Sequence, residues 1–292
     1  MESTLISDGP HLLAAIRRAW AALRAAPEFA EFDRSLQQLD APTLLFGGFP
    51  RLIERGGDPM HARDIDIVVD TDRWTLEATV KPWVARNTRF GGMNLRVGSQ
   101  RVDIWALRDT WAFRADKVTF ARTPENLIRT VFLSVDALAI DIRGGEVFAD
   151  IYRSSIQRME LDIVLRENPY PALCVLRSLV FAYEYGMRPS RRLRRYIQDY
   201  LRRNSAFEDL MRMQVAHYGC ERVTPDALKS WLLSFRGKQA QLWLFDAPAL
   251  PNGRVRQGSR EPDDPYVSCL LGEQDPEQRT LFNDAHPAAA AR

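Results

Sequence analysis

The sequence predicts an α+β fold, in which a mixed β-sheet flanked by helices is followed by an all-helical domain and a flexible C-terminal tail. Short β-branched runs alternate with helical periodicity in the first half of the chain, and long helical stretches with short breaks follow Pro169. The end of the chain is rich in Pro, Gly, Gln and Asp, so it buries too little apolar surface to offset the entropy of ordering it. The predicted divisions are N-terminal helices over 1–40, the sheet domain over 41–165, the helical domain over 166–245 and the tail over 246–292.

The elements of the sheet domain follow from apolar periodicity and from turn residues. Apolar side chains at helical spacing predict two N-terminal helices with Pro27 between them. The apolar strand Thr43–Phe46 runs into a double-glycine turn and a helix-like stretch, and the β-branched run Ile65–Val69 predicts a central strand. The remaining predicted elements are a helix over Trp74–Val84 and two or three strands between Thr88 and Leu107, with a hairpin turn at Gly91-Gly92.

The second half of the chain predicts four helices, because apolar residues recur at helical spacing between short polar breaks. They are predicted over Leu173–Tyr185, Arg191–Arg203, Phe207–His217 and Pro225–Phe235.

The overall charge and the N-terminus restrict the class of protein. Forty basic residues against thirty-eight acidic ones leave a net charge of +2, so the total charge predicts neither a nucleic acid nor a membrane as partner. The N-terminus lacks the order of a secretory signal, and no apolar run reaches the roughly 18 residues of a membrane span. We therefore expect a cytoplasmic protein without membrane insertion.

Three aspartates form the candidate catalytic site. Residues two apart in a strand point to the same face, so Asp64 and Asp66 present both carboxylates on one side and their isoleucine neighbours on the other. Asp103, in the last predicted strand, adds a third carboxylate. Carboxylate oxygens are the ligands that Mg²⁺ prefers, so these residues predict a site for two Mg²⁺ ions, for which Mn²⁺ can substitute.

The double-glycine turn predicts a phosphate site beside these acids. Gly47 and Gly48 let backbone amides approach a triphosphate at the start of a helix, and Arg51 can add charge-assisted hydrogen bonds. Each of these signals is weak alone, but their order and spacing strengthen the prediction.

In this order the motifs resemble those of the polymerase-β superfamily nucleotidyltransferases, specifically the head domain of poly(A) polymerases and CCA-adding enzymes. The family signature G-G-x-V-R-D … D-x-D-h is similar to Gly47-Gly48-Phe49-Pro50-Arg51-Leu52 followed by Asp64-Ile65-Asp66-Ile67. The segment Asp136–Ala139 is similar to the family's I-N-A-L-A stretch, and Leu173–Met187 to its arginine-containing helix. The resemblance covers about residues 41–190. It implies that Asp136 and Arg177 also contact the nucleotide.

The resemblance implies an enzyme that transfers NMP or dNMP from a nucleoside triphosphate, with ATP or dATP favoured, to a hydroxyl without a template, releasing pyrophosphate. The acceptor stays open between a nucleic-acid 3′ end, a signalling oligonucleotide, and a protein or tRNA target of a toxin-type enzyme. The alternative from a different functional class is a catalytically inactive, nucleotide-binding antitoxin or scaffold protein.

Two departures from the family pattern bear on specificity. Thr130–Ser134 replaces the family's R-R-D-F-T, and no E-D-x-x-R element is found, so we do not expect a housekeeping CCA-adding enzyme. This divergence favours an antiphage-defence or toxin–antitoxin setting with an operon-encoded protein partner.

A basic run in the helical domain is the candidate nucleic-acid surface. Its arginines suit phosphates, and Tyr196 and Tyr200 between them suit base stacking. A solvated basic helix whose tyrosines pack inward is an equally good interpretation. The arginines concerned are Arg191, Arg192, Arg194 and Arg195.

Overall fold

A computed structural model describes residues 9–88, 90–203 and 205–236, and the structural statements below concern those residues. The chain divides into two compact units, residues 1–167 and 168–292, which are described separately. The predicted tail, 246–292, lies outside the described residues. No helix in the described ranges has the length and apolarity that crossing a membrane requires.

The first unit is built on a seven-stranded mixed sheet, which confirms the predicted fold class. Its strands are β1 Thr43–Phe46, β2 Ile65–Val69, β3 Val84–Asn87, β4 Met93–Val97, β5 Gln100–Ala106, β6 Ala139–Asp141 and β7 Val147–Phe148, and a short β8 Glu160–Leu161 follows. The order across the sheet is β3-β4-β5-β2-β1-β6-β7. Only the β2–β5 pair is parallel among the described pairs of this sheet, and the other neighbours are antiparallel.

The helices of the first unit pack around this sheet. They are α1 Gly9–Leu23, α2 Pro27–Gln37, α3 Gly48–Glu54, α4 Arg73–Val80, α5 Trp111–Arg114 and α6 Asp150–Arg158. The main core lies between α1, α2 and one sheet face, where Ile16, Phe32, Ile65 and Ile67 are fully buried. A smaller core, which includes Leu44, covers part of the opposite face.

The prediction of a helix over Trp74–Val84 is wrong at its C-terminal end. Helix α4 ends at Val80, a single 3₁₀ turn spans Lys81–Trp83, and Val84 is the first residue of β3. Pro82 explains the break, because it has no N–H to donate to the carbonyl of the residue four positions earlier. The apolar Val84 matched helical spacing by coincidence.

The second unit contains the four predicted helices and a short β9 Arg188–Pro189. The helices are α7 Pro171–Tyr185, α8 Arg191–Leu201, α9 Ala206–Tyr218 and α10 Pro225–Arg236. Ser190 caps α8 by accepting a 3.1 Å hydrogen bond from the backbone N–H of Leu193. Buried Gln214 donates to the carbonyl of Val223 and accepts from its N–H, which ties α9 to the segment before α10.

A buried aspartate fixes the N-terminal helices to the sheet. Asp33 on α2 has no solvent exposure, and its carboxylate accepts hydrogen bonds from the Trp20 indole at 3.0 Å and from Gln37 at 2.9 Å. Arg143, in the loop between β6 and β7, approaches it at 2.8 Å, and Arg24 at 3.1 Å. Because these four partners are donors, the carboxylate is satisfied by hydrogen bonds despite its burial.

Replacing this aspartate should destabilise the first unit. We expect Asp33→Asn to lower the free energy of unfolding by about 1–3 kcal/mol, because the new amide group would face donors and lose the charge that attracts both arginines. Urea unfolding followed by far-UV circular dichroism measures the change. The matched control is Glu31→Gln on the exposed face of α2, which should stay within about 0.5 kcal/mol of wild type. Equal stabilities of the two variants would contradict this interpretation.

Candidate active site

A row of polar residues crosses the sheet at one register level. Asp66 on β2 pairs with Asp103 on β5, Asp103 pairs with Asn94 on β4, and Asn94 pairs with Arg86 on β3. Side chains of directly paired residues lie on the same sheet face. Four neighbouring strands therefore each contribute one polar side chain to a single row, and two of these are predicted metal ligands.

The apolar residues that alternate with these carboxylates hold the strands in place. Ile65 and Ile67 on β2, and Val102 and Ile104 on β5, are all completely buried on the opposite face. A shift of one residue would place these side chains on the polar face, so burial fixes the register that brings Asp66 beside Asp103.

Asp64 lies immediately before β2 and is electrostatically coupled to Asp103. Its Oδ2 atom accepts a 3.1 Å hydrogen bond from Nε of Arg63, and Nη2 of Arg63 lies 3.0 Å from the same oxygen in an ion pair. The Asp103 carboxylate accepts a hydrogen bond from the side-chain amide of Asn94. The structure thus brings the three predicted aspartates into one region.

Burial raises the pKa of the Asp103 carboxyl above its ordinary value. The hydrogen bond from Asn94 opposes this increase in pKa, the negative charge of Asp64 adds to it, and Arg63 and Arg86 counteract it weakly. The ionised form of Asp103 is therefore disfavoured by low solvation and by a neighbouring carboxylate.

The chemistry of these residues fits a divalent cation. Within the ranges described above, no group of three or more His, Cys, Asp or Glu side chains has the arrangement of a formed metal site. Arg63 engages an oxygen of Asp64, and Asn94 engages an oxygen of Asp103. Each carboxylate nevertheless has further lone pairs, and a hard cation would relieve the repulsion between Asp64 and Asp103.

The double-glycine turn lies beside Asp66. Gly47 has a φ of 62°, in the left-handed region that favours glycine, and a Cβ atom placed there would be 4.0 Å from Oδ2 of Asp66. Its N–H donates to the carbonyl of Leu138 at 2.9 Å, so this amide is used within the protein. At Gly48 a Cβ atom would meet no described heavy atom within 4 Å, so the backbone there is open.

Two predicted nucleotide contacts form an ion pair with each other. Nη1 of Arg51 on α3 lies 2.6 Å from Oδ1 of Asp136 and donates to the carbonyl of Val135 at 3.0 Å. The side chains are 14% and 8% exposed, so the pair is largely shielded from water. It fixes α3, and with it the double-glycine turn, to the segment before β6. The remaining predicted contact, Arg177, lies on α7 of the second unit, 5.5 Å from the ring centroid of Phe181.

Sequence analysis missed Asn94, Arg86 and Arg63. Alternation along β4, where Asn94 stands between buried Met93 and Leu95, indicates that Asn94 lies on the polar face. Its partner depends on strand order and register, which the sequence pattern does not contain. Arg63 directly precedes Asp64, and this adjacency was an available signal.

The shifted pKa of Asp103 gives a prediction for stability against pH. A carboxyl whose pKa is raised on folding lowers the free energy of unfolding at neutral pH, because the folded protein must hold it ionised in an unfavourable environment. This loss of stability disappears as the pH falls through the raised pKa towards the ordinary value of 3.8, because the carboxyl is then protonated. We therefore expect Asp103→Asn to be more stable than wild type at neutral pH in EDTA, with the difference shrinking as the pH approaches 4. Urea unfolding at a series of pH values measures this. If Asp103→Asn is no more stable than wild type at neutral pH, the raised pKa of Asp103 is contradicted.

Comparison with known proteins identifies the fold. No protein-family model matches the sequence, and no curated protein matches it significantly. Among solved structures, the Thermotoga maritima CCA-adding enzyme complexed with tRNA matches at 16% identity and a TM-score of 0.53, over 75% of this chain and 53% of that one. A CCA-adding enzyme in complex with ATP matches at 16% identity and a TM-score of 0.50, over 70% of this chain and 48% of that one. The chain thus spans about half the length of these proteins. The comparisons confirm the prediction of the fold: this chain shares its fold with the CCA-adding enzymes.

Proposed function

We propose that this protein is a metal-dependent nucleotidyltransferase that moves a nucleoside monophosphate, NMP or dNMP, from a triphosphate to a hydroxyl acceptor without a template, releasing pyrophosphate. The observation that supports this most strongly is the register that sets Asp66 beside Asp103, with Asp64 immediately before β2. These carboxylates lie on a sheet with the nucleotidyltransferase fold, and a fold alone does not fix an activity.

In this proposal Asp64, Asp66 and Asp103 hold Mg²⁺, for which Mn²⁺ substitutes. Bound divalent cations neutralise charge on the triphosphate and lower the pKa of the attacking hydroxyl. The protein contributes fixed positions for the ligands, because the buried faces of β2 and β5 prevent the two strands from sliding.

The double-glycine turn and its supports form the nucleotide-binding part of the proposal. The open backbone at Gly48 leaves room for phosphate oxygens, while Gly47 keeps the turn close to Asp66. The ion pair between Arg51 and Asp136 holds this turn in place, and both residues stay predictions as nucleotide contacts. Arg177 stays a prediction as a further nucleotide contact.

The donor and the biological setting are the finer parts of the proposal. ATP or dATP is the favoured donor, and the similar CCA-adding enzyme in complex with ATP supports this choice. The divergence of Thr130–Ser134 from the family motif favours a defence or toxin–antitoxin setting with an operon-encoded protein partner. A cytoplasmic location is also part of the proposal.

A nucleic-acid acceptor is supported by helix α8. Arg191, Arg192 and Arg195 are exposed and Arg194 is half-buried, whereas the opposite side of the helix is buried through residues such as Leu193. Tyr200 packs inward, and its burial raises its pKa to about 12, so it is not available for stacking on a base. The helix therefore presents positive charge, which suits phosphates of any sequence.

Removing one metal ligand should abolish transfer. We expect Asp66→Ala to lower the rate by about 1,000-fold or more, because metal-ion catalysis is worth several kcal/mol and each 1.36 kcal/mol corresponds to a factor of ten. Labelled NTPs and dNTPs are incubated with Mg²⁺, first without acceptor and then with RNA or DNA, and the products are resolved on denaturing gels. Asp70→Ala, just beyond the far end of β2, is the matched control and should retain activity. Incorporation of nucleotide by Asp66→Ala at the wild-type rate would overturn the proposal. The proposal would also fail if the wild-type protein incorporated no nucleotide with any donor and acceptor.

Neutralising the basic side of α8 should weaken RNA binding in a salt-dependent way. We expect Arg191→Ala/Arg195→Ala, which removes two exposed charges one helical turn apart, to reduce the slope of log affinity against log salt by about 1–2. Fluorescence anisotropy with a labelled RNA measures this slope. Arg212→Ala on α9 is the control, since this arginine already pairs with Asp209 at 2.6 Å. An unchanged slope in the double variant would exclude α8 as the acceptor surface.

A further inference from the structure

Asn94 occupies the position between a predicted metal ligand and an arginine. Its side-chain NH₂ donates to Oδ1 of Asp103 on one side, and its Oδ1 accepts a 2.6 Å hydrogen bond from Nε of Arg86 on the other. The three residues come from β5, β4 and β3 and are direct partners in the sheet register. They form a continuous hydrogen-bonded chain that ends at Asp103.

The two partners require the same orientation of the Asn94 amide. A guanidinium has donors only, and an ionised carboxylate has acceptors only. Arg86 therefore requires the amide oxygen on its side, and Asp103 requires the NH₂ group on the other. The reversed amide would place its oxygen against the carboxylate and its NH₂ against the guanidinium, with both hydrogen bonds lost.

A β-bulge places Arg86 in this chain. Val84 pairs with Leu95, but Arg86 pairs with Asn94, so β3 holds one extra residue, Ala85, relative to β4. Without the bulge the regular pairing would set Arg86 opposite Met93, whose side chain is only 2% exposed and belongs to the core face. Bulges commonly redirect a side chain next to a functional site. Here the bulge moves Arg86 to the face that carries Asp103.

We propose that Asn94, oriented by Arg86, is a positioning residue that fixes the Asp103 carboxylate for metal binding. This inference rests on the proposed function. The amide holds one carboxylate oxygen, so the second oxygen and the remaining lone pairs are left for a cation. An asparagine achieves this without adding a further negative charge beside Asp64, Asp66 and Asp103.

The test measures binding of Mn²⁺ to the full-length protein after EDTA treatment, by the loss of the electron paramagnetic resonance signal of free Mn²⁺. We expect Asn94→Ala to weaken the tightest Mn²⁺ site by about 10–100-fold, as is typical when a residue that orients a ligand is removed. Arg86→Met should weaken it less, because Arg86 is exposed and its hydrogen bond competes with water. Arg96→Ala, on the same face of β4 but opposite Arg101, is the matched control and should bind as wild type.

A second readout separates positioning from a purely structural role. In the transfer assay the Asn94→Ala defect should appear in kcat at low Mn²⁺ and shrink as Mn²⁺ is raised, whereas a purely structural defect would persist at saturating Mn²⁺. Reduced stability in EDTA together with wild-type Mn²⁺ affinity would overturn the inference. If Asn94→Ala does not fold, Asn94→Thr, which suits a strand but is too short to reach both partners, gives the same comparison.

Asp103→Ala distinguishes failure of this inference from failure of the proposed function. If Asp103→Ala loses the tight Mn²⁺ site while Asn94→Ala keeps it, the metal site stands and the positioning role is refuted. If Asp103→Ala binds Mn²⁺ as tightly as wild type, the proposed metal site itself is refuted. Loss in both variants, with Arg96→Ala unaffected, supports the inference.

Discussion

The parallel pairing of β2 with β5 is the constraint on which the candidate site depends. It places Asp66 directly beside Asp103, and it is maintained by completely buried isoleucine and valine side chains on the other face of both strands. Moving either strand by one residue would expose these apolar side chains to water and bury the carboxylates in the core. Both changes would lower the free energy of unfolding. The hydrophobic core therefore determines where the acidic groups lie, and hydrogen bonds adjust only their orientation.

Charged groups that are buried elsewhere in the first unit hold the surroundings of this strand pair. The pair formed by Arg51 and Asp136 fixes α3 at one end of the double-glycine turn, and Asp33 joins α1 and α2 to the loop after β6. A buried ion pair adds little net stability compared with apolar residues of the same volume, but breaking it leaves an uncompensated charge. These groups thus favour one arrangement of helices around the sheet, since other arrangements would separate the partners.

Local patterns predicted the elements of the fold, and their failures have local causes. The alternation of acids with isoleucines identified β2 and its polar face, and the second-unit helices follow their predicted spans closely. The helix predicted to Val84 ended early because Pro82 interrupts its hydrogen bonds, and an apolar valine fits a helix or a strand equally well. Strand order and register were not predictable, because they arise from contacts between distant segments. For that reason Asp103 was found through motif order, whereas Asn94 and Arg86 were missed.

The difference between local sequence patterns and contacts between distant segments also explains why the chemistry of the site is easier to infer than its specificity. Carboxylate oxygens suit a hard cation, so in the proposed site Asp64, Asp66 and Asp103 support metal-dependent chemistry without indicating a substrate. Arginine has many uses, and Arg51, which is predicted to contact the nucleotide, pairs with Asp136 in the structure. A residue that matches a family motif can therefore support the fold of the site, and only its contacts show how it does so. Asp103 shows the same dependence on contacts, because its carboxylate accepts a hydrogen bond from Asn94, which the sequence pattern did not reveal.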